Sequence, residues 1–95
     1  MRRRYLVSYD ISDDKRRSKV FELLEGNGDH VQYSVFLADL TEQDLVRLRG
    51  RLLERINERE DQVIIVDLGR ETRPLQNTLE VLGKPYSPST RVMVV

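Results

Sequence analysis

Asp10 is the residue best placed to do chemistry in this chain, because it closes a short β-rich run, Arg4-Tyr5-Leu6-Val7-Ser8-Tyr9-Asp10. Tyr, Leu and Val suit a pleated, largely buried strand, and Ile11-Ser12-Asp13-Asp14 then breaks the pattern with turn and cap formers. A carboxylate leaving a strand at that edge can ligate a hard divalent cation through oxygen, or it can simply close an Asx turn. Four basic residues follow at once: Lys15, Arg16, Arg17 and Lys19. Arg17 falls three residues before Val20 and four before Phe21, on the apolar stripe of the helix that follows. From there it leans back toward the strand end, to pair with Asp10, to offer its guanidinium to a phosphate, or to lay its stem over the core edge with its head in water. Arg16, Arg17 and Lys19 are therefore candidate nucleic-acid contacts, or else a solvated surface.

Composition narrows the chemistry. The chain has 95 residues, no cysteine and a single histidine, His30, so thiolate and multi-histidine metal sites within one chain are excluded. A metal here needs oxygen ligands, which points to magnesium, manganese or calcium. His30 itself, alone at a strand start, reads as a surface or core-edge residue rather than a base. The net charge of zero conceals a segregation: residues 1–20 carry seven Lys/Arg against three Asp/Glu, and residues 21–46 carry six acids with no Lys or Arg. Such sorting permits a local basic surface for phosphates on a neutral protein. Arginine outnumbers lysine thirteen to three, a bias toward the planar fork that suits bidentate phosphate contact, although composition bias or a hot habitat also produces it. Arg2, Arg3 and Arg4 add a positive cluster at the opposite end of the first strand.

The elements that must position these residues follow from periodicity. Asp13 or Asp14 caps a helix running to about Glu25, with Val20, Phe21 and Leu24 inward, and Gly26-Asn27-Gly28 ends it with residues that tolerate left-handed geometry. Residues 29–39 read as extended, with Val31, Tyr33, Val35 and Leu37 on one side. They form one bent strand or two short ones, and no Gly or Pro marks a turn inside them. Thr41-Glu42-Gln43-Asp44 resembles a capping box opening a helix patterned by Leu45, Leu48, Leu52, Leu53 and Ile56 up to about Arg59. Arg49 intrudes on that stripe, as a residue in a subunit salt bridge would. Residues 62–68 form a continuous apolar strand, expected at a sheet centre or an interface. Residues 71–82 carry a weak helical pattern interrupted by Pro74, 83–89 read as a loop, and Arg91-Val92-Met93-Val94-Val95 closes the chain as a strand that should pair with a sheet. No apolar run, 63–66 and 92–95 included, exceeds four residues, so a soluble, cytoplasmic, single-domain protein over 1–95 is expected.

In order, β-α-β(β)-α-β plus a last strand is the ferredoxin-like α+β plan, βαββαβ, which hosts many functions and decides none. The local residues are more specific. Tyr5-Leu6-Val7-Ser8-Tyr9-Asp10-Ile11-Ser12-Asp13-Asp14-Lys15-Arg16-Arg17, followed by Val31-Gln32-Tyr33-Ser34-Val35-Phe36, closely resembles the CRISPR-associated protein 2 family over nearly the whole chain.

That resemblance implies a homodimer in which the C-terminal loop and strand, 83–95, cross to complete the partner's sheet and the two Asp10 carboxylates face each other and share one magnesium or manganese ion. It implies two roles. One is a subunit of spacer acquisition that holds DNA or RNA by its backbone beside the CRISPR-associated integrase; the other is a metal-dependent endonuclease. Asp10 then holds the metal and orients a water, Arg16, Arg17 and Lys19 hold phosphates, and Tyr9 and Phe36 belong to the matching motifs either as supporting residues or as core aromatics. His30 stands where a basic residue would continue the patch. Two further readings stay open: a ribonuclease toxin-like enzyme, and a ferredoxin-like regulatory module that binds a small molecule without catalysis.

Overall fold

The structure is a computed structural model and describes residues 1–70 and 72–86. Four strands, β1 (Arg3–Asp10), β2 (Asp29–Gln32), β3 (Val35–Leu40) and β4 (Gln62–Asp67), form one sheet in the order β2-β3-β1-β4. All three pairings are antiparallel. With α1 (Asp14–Glu25) after β1 and α2 (Glu42–Arg55) after β3, this is the expected ferredoxin-like α+β arrangement. A single further turn, α3 (Leu75–Thr78), is what remains of the weak helical pattern after Pro74.

Alternation sorts the side chains of β1. Tyr5, Val7 and Tyr9 are buried on the face that carries the helices, where they meet Phe36, Ala38 and Leu40 of β3, Val20 and Leu24 of α1, and Leu45, Leu48 and Leu52 of α2. Phe36, Leu24, Leu48, Val7 and Val20 are fully enclosed. Each such side chain contributes roughly 1.5–3 kcal/mol by leaving water. Leu6, Ser8 and Asp10 fall on the opposite face, which neither helix covers.

Local chemistry sets the helix ends. Asp13 is the N-cap of α1 and accepts the Arg16 N–H at 2.9 Å. Thr41 and Asp44 form a reciprocal capping box at the start of α2. Contrary to expectation, Gly26 ends α1 with a right-handed φ of −75°. The orphan carbonyls are met by the N–H groups of Gly26, Asn27 and Gly28 and by the Asn27 side chain, which donates to Leu23 O at 2.7 Å. Gly28 is needed for a different reason: a Cβ there would lie 2.6 Å from Leu37 O.

One open expectation is settled and two others are revised. Residues 29–39 are two strands, joined by the two-residue turn Tyr33-Ser34, with Gln32 opposite Val35. Helix α2 stops at Arg55 rather than near Arg59. There Asp61 Oδ2 accepts the Asn57 N–H at 2.8 Å and Asn57 Oδ1 accepts the Arg59 N–H at 2.9 Å, so side chains of a tight loop take over the backbone donors. Strand β4 lies at the sheet edge, not its centre, with Ile64 and Val66 49% and 41% exposed. The residues expected to form the last strand, 91–95, lie outside the described residues, as do 87–89 of the preceding loop.

Candidate nucleic-acid interface

Three segments converge at the C-terminal end of β1. Asp10 is exposed and pairs in register with Gln62 at the start of β4. On the other side the β2–β3 turn closes the sheet, and Ser34 O accepts the Tyr9 N–H at 3.3 Å. Beyond Asp10 the chain passes through Ile11 and Ser12 into α1. Among the described residues no hydrogen bond or ion pair engages the Asp10 carboxylate.

Arg17 does not pair with Asp10. Its Nη1 donates to the carbonyls of Ile11 and Ser12, both at 3.1 Å, and its Nη2 to Asp14 Oδ1. The guanidinium thus clamps the loop that leaves Asp10 while its side chain stays 44% exposed. Arg16 is committed elsewhere. Its Nε and Nη2 bind both oxygens of Asp61, at 2.7 and 3.1 Å, and Glu60 stands 3.5 Å away. The Asp61 side chain is fully shielded from solvent. Its carboxyl is held below the usual range by the Arg16 hydrogen bond first and by the Asn57 N–H second. Lys15 and Lys19 are exposed, with no ion pair among the described residues. Arg16 therefore ties α1 to the α2–β4 loop, leaving Lys15, Lys19 and the outer edge of Arg17 as open charge.

Tyr9 and Phe36 are core aromatics. Their rings stack at 6.4 Å, and Phe36 continues to His30 at 4.8 Å and Phe21 at 5.5 Å. Burial pushes the Tyr9 phenol upward, with the Arg17 charge opposing it. His30 lies between Phe36 and Phe21, and its Nε2 is 2.6 Å from Tyr33 O. Its ring is an anchor of the turn, not part of a basic patch. Tyr33, expected on the same strand side as Val31 and Val35, instead stands at the turn, 89% exposed and with φ of +37°.

Two of the three arginines at the far end of β1 are neutralised within the molecule. Arg4, its side chain 7% exposed, forks onto Asp39 at 2.7 and 3.0 Å and also reaches Arg73 O and Thr78 Oγ1. Arg3 pairs with Asp67 at 3.1 Å, and Arg2 donates to Asp39 O. The sequence offered no sign of the Arg16–Asp61 and Arg4–Asp39 partnerships, because the partners are 45 and 35 residues apart.

Among the described residues no group of three or more His, Cys, Asp or Glu side chains is placed to hold a metal. One chain offers a cation the single hard oxygen donor group of Asp10, which fits magnesium by type but is incomplete in number. No helix among the described residues is long and apolar enough to cross a membrane.

Fold and site together define a small ferredoxin-like protein with an unengaged carboxylate at an open strand end and basic residues at the start of the adjoining helix. The family model for CRISPR associated protein Cas2 matches residues 1–74, and the chain belongs to that family. It is 41% identical over 83 residues to a CRISPR-associated endoribonuclease Cas2 of Thermodesulfovibrio yellowstonii, covering 87% of this chain and 86% of the relative. A Thermus thermophilus protein of the same description is 43% identical over 72 residues, 75% of this chain and 77% of the other. Among solved structures, a hypothetical protein from Thermus thermophilus matches with a TM-score of 0.77 at 36% identity, over 94% of this chain and 100% of the other. Streptococcus pyogenes Cas2 matches with 0.69 at 29% identity, over 84% and 99%.

Proposed function

We propose that this chain works in CRISPR-associated spacer acquisition as a nucleic-acid-binding homodimer, beside the CRISPR-associated integrase, and that Asp10 from each copy completes one divalent-cation site able to cleave phosphodiester bonds. The observation that carries this reading is the Asp10 carboxylate, unengaged among the described residues and on the sheet face opposite α1 and α2. On the same face Leu6 pairs with Val66 and Ser8 with Ile64, an open apolar surface of the kind that marks an interface. A two-fold contact across such a patch sets each residue near the axis against its own copy, so a second carboxylate arrives without a second acidic residue in the sequence.

Bound magnesium would supply Lewis acidity and acidify a water at neutral pH. The chain's own residues do the rest. Asp10 holds the cation, Lys15 and Lys19 receive phosphates as point charges, and Arg17 fixes the loop that aims Asp10. Contacts of this kind ignore base sequence and weaken steeply with salt. That property suits a subunit that holds nucleic acid for a partner enzyme. Cleavage of RNA is the activity in the names of the relatives, and here it would need the added cation together with the second copy's Asp10.

The test is magnesium- and manganese-dependent cleavage of labelled RNA and duplex DNA by the wild type and by Asp10→Ala, with binding recorded in parallel. Cleavage that vanishes in the variant while binding persists supports the shared cation site. Equal binding by both proteins with no cleavage by either removes the nuclease and leaves the binding subunit.

A further inference from the structure

Tyr33 is an aromatic ring set out in water on a backbone that resists it. A single exposed apolar side chain needs no explanation by itself. Here, however, the residue sits at a positive φ of +37°, a region that glycine or asparagine fills more easily and that strains other side chains. The turn is locked from both sides. His30 Nε2 lies 2.6 Å from Tyr33 O, and the His30 ring is fixed between Phe36 and Phe21. Ser34 O in turn accepts the N–H of Tyr9, one residue before Asp10. The backbone beneath the ring is therefore held at the Asp10 end of the sheet, and binding has only the side-chain rotamer left to order. Its neighbours do not form an apolar patch: Gln32 is exposed and polar, and Ser34 is half-buried. One flat, isolated ring, at the same sheet end as Asp10 and the start of α1, suits a flat ligand attached to phosphates better than a protein surface.

We infer that Tyr33 is a stacking platform for an unpaired nucleobase of a single-stranded nucleic acid whose backbone passes Asp10. This rests on the backbone-binding function proposed above and adds to it a preference for single strands. A base stacked on Tyr33 places the adjoining phosphate at the Asp10 end, whereas a duplex keeps its bases stacked on one another and gains nothing from the ring.

The test measures binding in EDTA, with full-length protein, to an oligouridylate, to an abasic ribose-phosphate oligomer of the same length and to duplex RNA. Tyr33→Ala should weaken oligouridylate binding about 10-fold, as expected for loss of one stacked base. Tyr33→Phe should stay within about 2-fold of the wild type, because the ring face is kept. Neither substitution should change binding of the abasic oligomer or the duplex. The chain contains no tryptophan, so Tyr33→Trp adds a unique reporter whose emission oligouridylate should quench and the abasic oligomer should not. Unaltered oligouridylate binding by Tyr33→Ala, or an equal loss on the abasic oligomer, overturns the platform. Wild-type binding of the abasic oligomer checks the underlying function separately: its absence refutes backbone binding itself, and its presence with no Tyr33 effect refutes the platform alone.

Discussion

The two ends of β1 carry charge of opposite sign and opposite fate. At the N-terminal end three consecutive arginines look like a phosphate-binding surface, yet Arg3 and Arg4 are closed on Asp67 and Asp39, and Arg2 reaches a backbone carbonyl. At the C-terminal end the Asp10 carboxylate is left without a partner among the described residues. A charge is available for function only when the fold has not already matched it, and matching is a property of three-dimensional neighbours. The acidic residues 21–46 and the basic residues 1–20 meet at the Arg4–Asp39 pair, while Arg3, Arg16 and Arg17 find their carboxylates at Asp67, Asp61 and Asp14.

The sharpest way to break this contrast is at Asp10 itself. Asp10→Asn should reduce magnesium-dependent RNA cleavage by about 100-fold or more, while shifting the thermal midpoint by less than about 2 °C. A large loss of stability would mean that Asp10 is matched after all. At the opposite end the expectation reverses. Asp39→Ala takes the carboxylate from a nearly buried guanidinium that keeps Thr78 Oγ1 and Arg73 O, and should cost on the order of 2 kcal/mol, discounted because Asp39 itself is 45% exposed, lowering the midpoint by roughly 10 °C. Chemical denaturation of the two variants side by side measures the difference.

A third test compares two carboxylates at the same end of the sheet. Asp61, matched by Arg16, titrates below its ordinary value. Because its folded-state pKa lies under the unfolded value of about 4, it contributes stability above that pH and loses it as pH falls through the depressed value. Urea unfolding between pH 3 and 7 should show Asp61→Asn to be more destabilising at pH 7 than at pH 3. Some acid sensitivity will remain, since Asp67 and Asp44 are depressed in the same direction by the Gly69 N–H and by Thr41. Equal destabilisation at both pH values would show that the Arg16 pair does not set the acid response. The smallest effect belongs to Arg17. Arg17→Ala should weaken RNA binding only a few-fold and lower the salt slope by less than one, because its guanidinium is partly engaged by Ile11, Ser12 and Asp14. A loss as large as that from removing both Lys15 and Lys19 would make it a principal phosphate contact.

Much of the fold was legible before any coordinates. The alternation of Tyr5, Val7 and Tyr9, the leucine spacing of α2, the Thr41 capping box and the Asp13 cap are local patterns, read over a few residues against periods of 2 and 3.6. Asp10 was legible too, because its place depends only on where a short strand stops. What failed was either compensated or long-range. Asp61 and Asn57 ended α2 before its apolar spacing ran out, and the hairpin turn lacked glycine because His30 holds Tyr33 in a conformation that the residue type alone does not favour.

The sequence by itself determined the order of elements, the inward faces of both helices and the carboxylate at the end of β1, since those follow from neighbours along the chain. Only the tertiary structure decided that Arg4 and Arg16 are already paired, that β4 borders an open apolar face, and that Tyr33 stands at the Asp10 end. Those outcomes depend on which distant segments meet, and no local periodicity encodes the meeting of residues 35 or 45 positions apart.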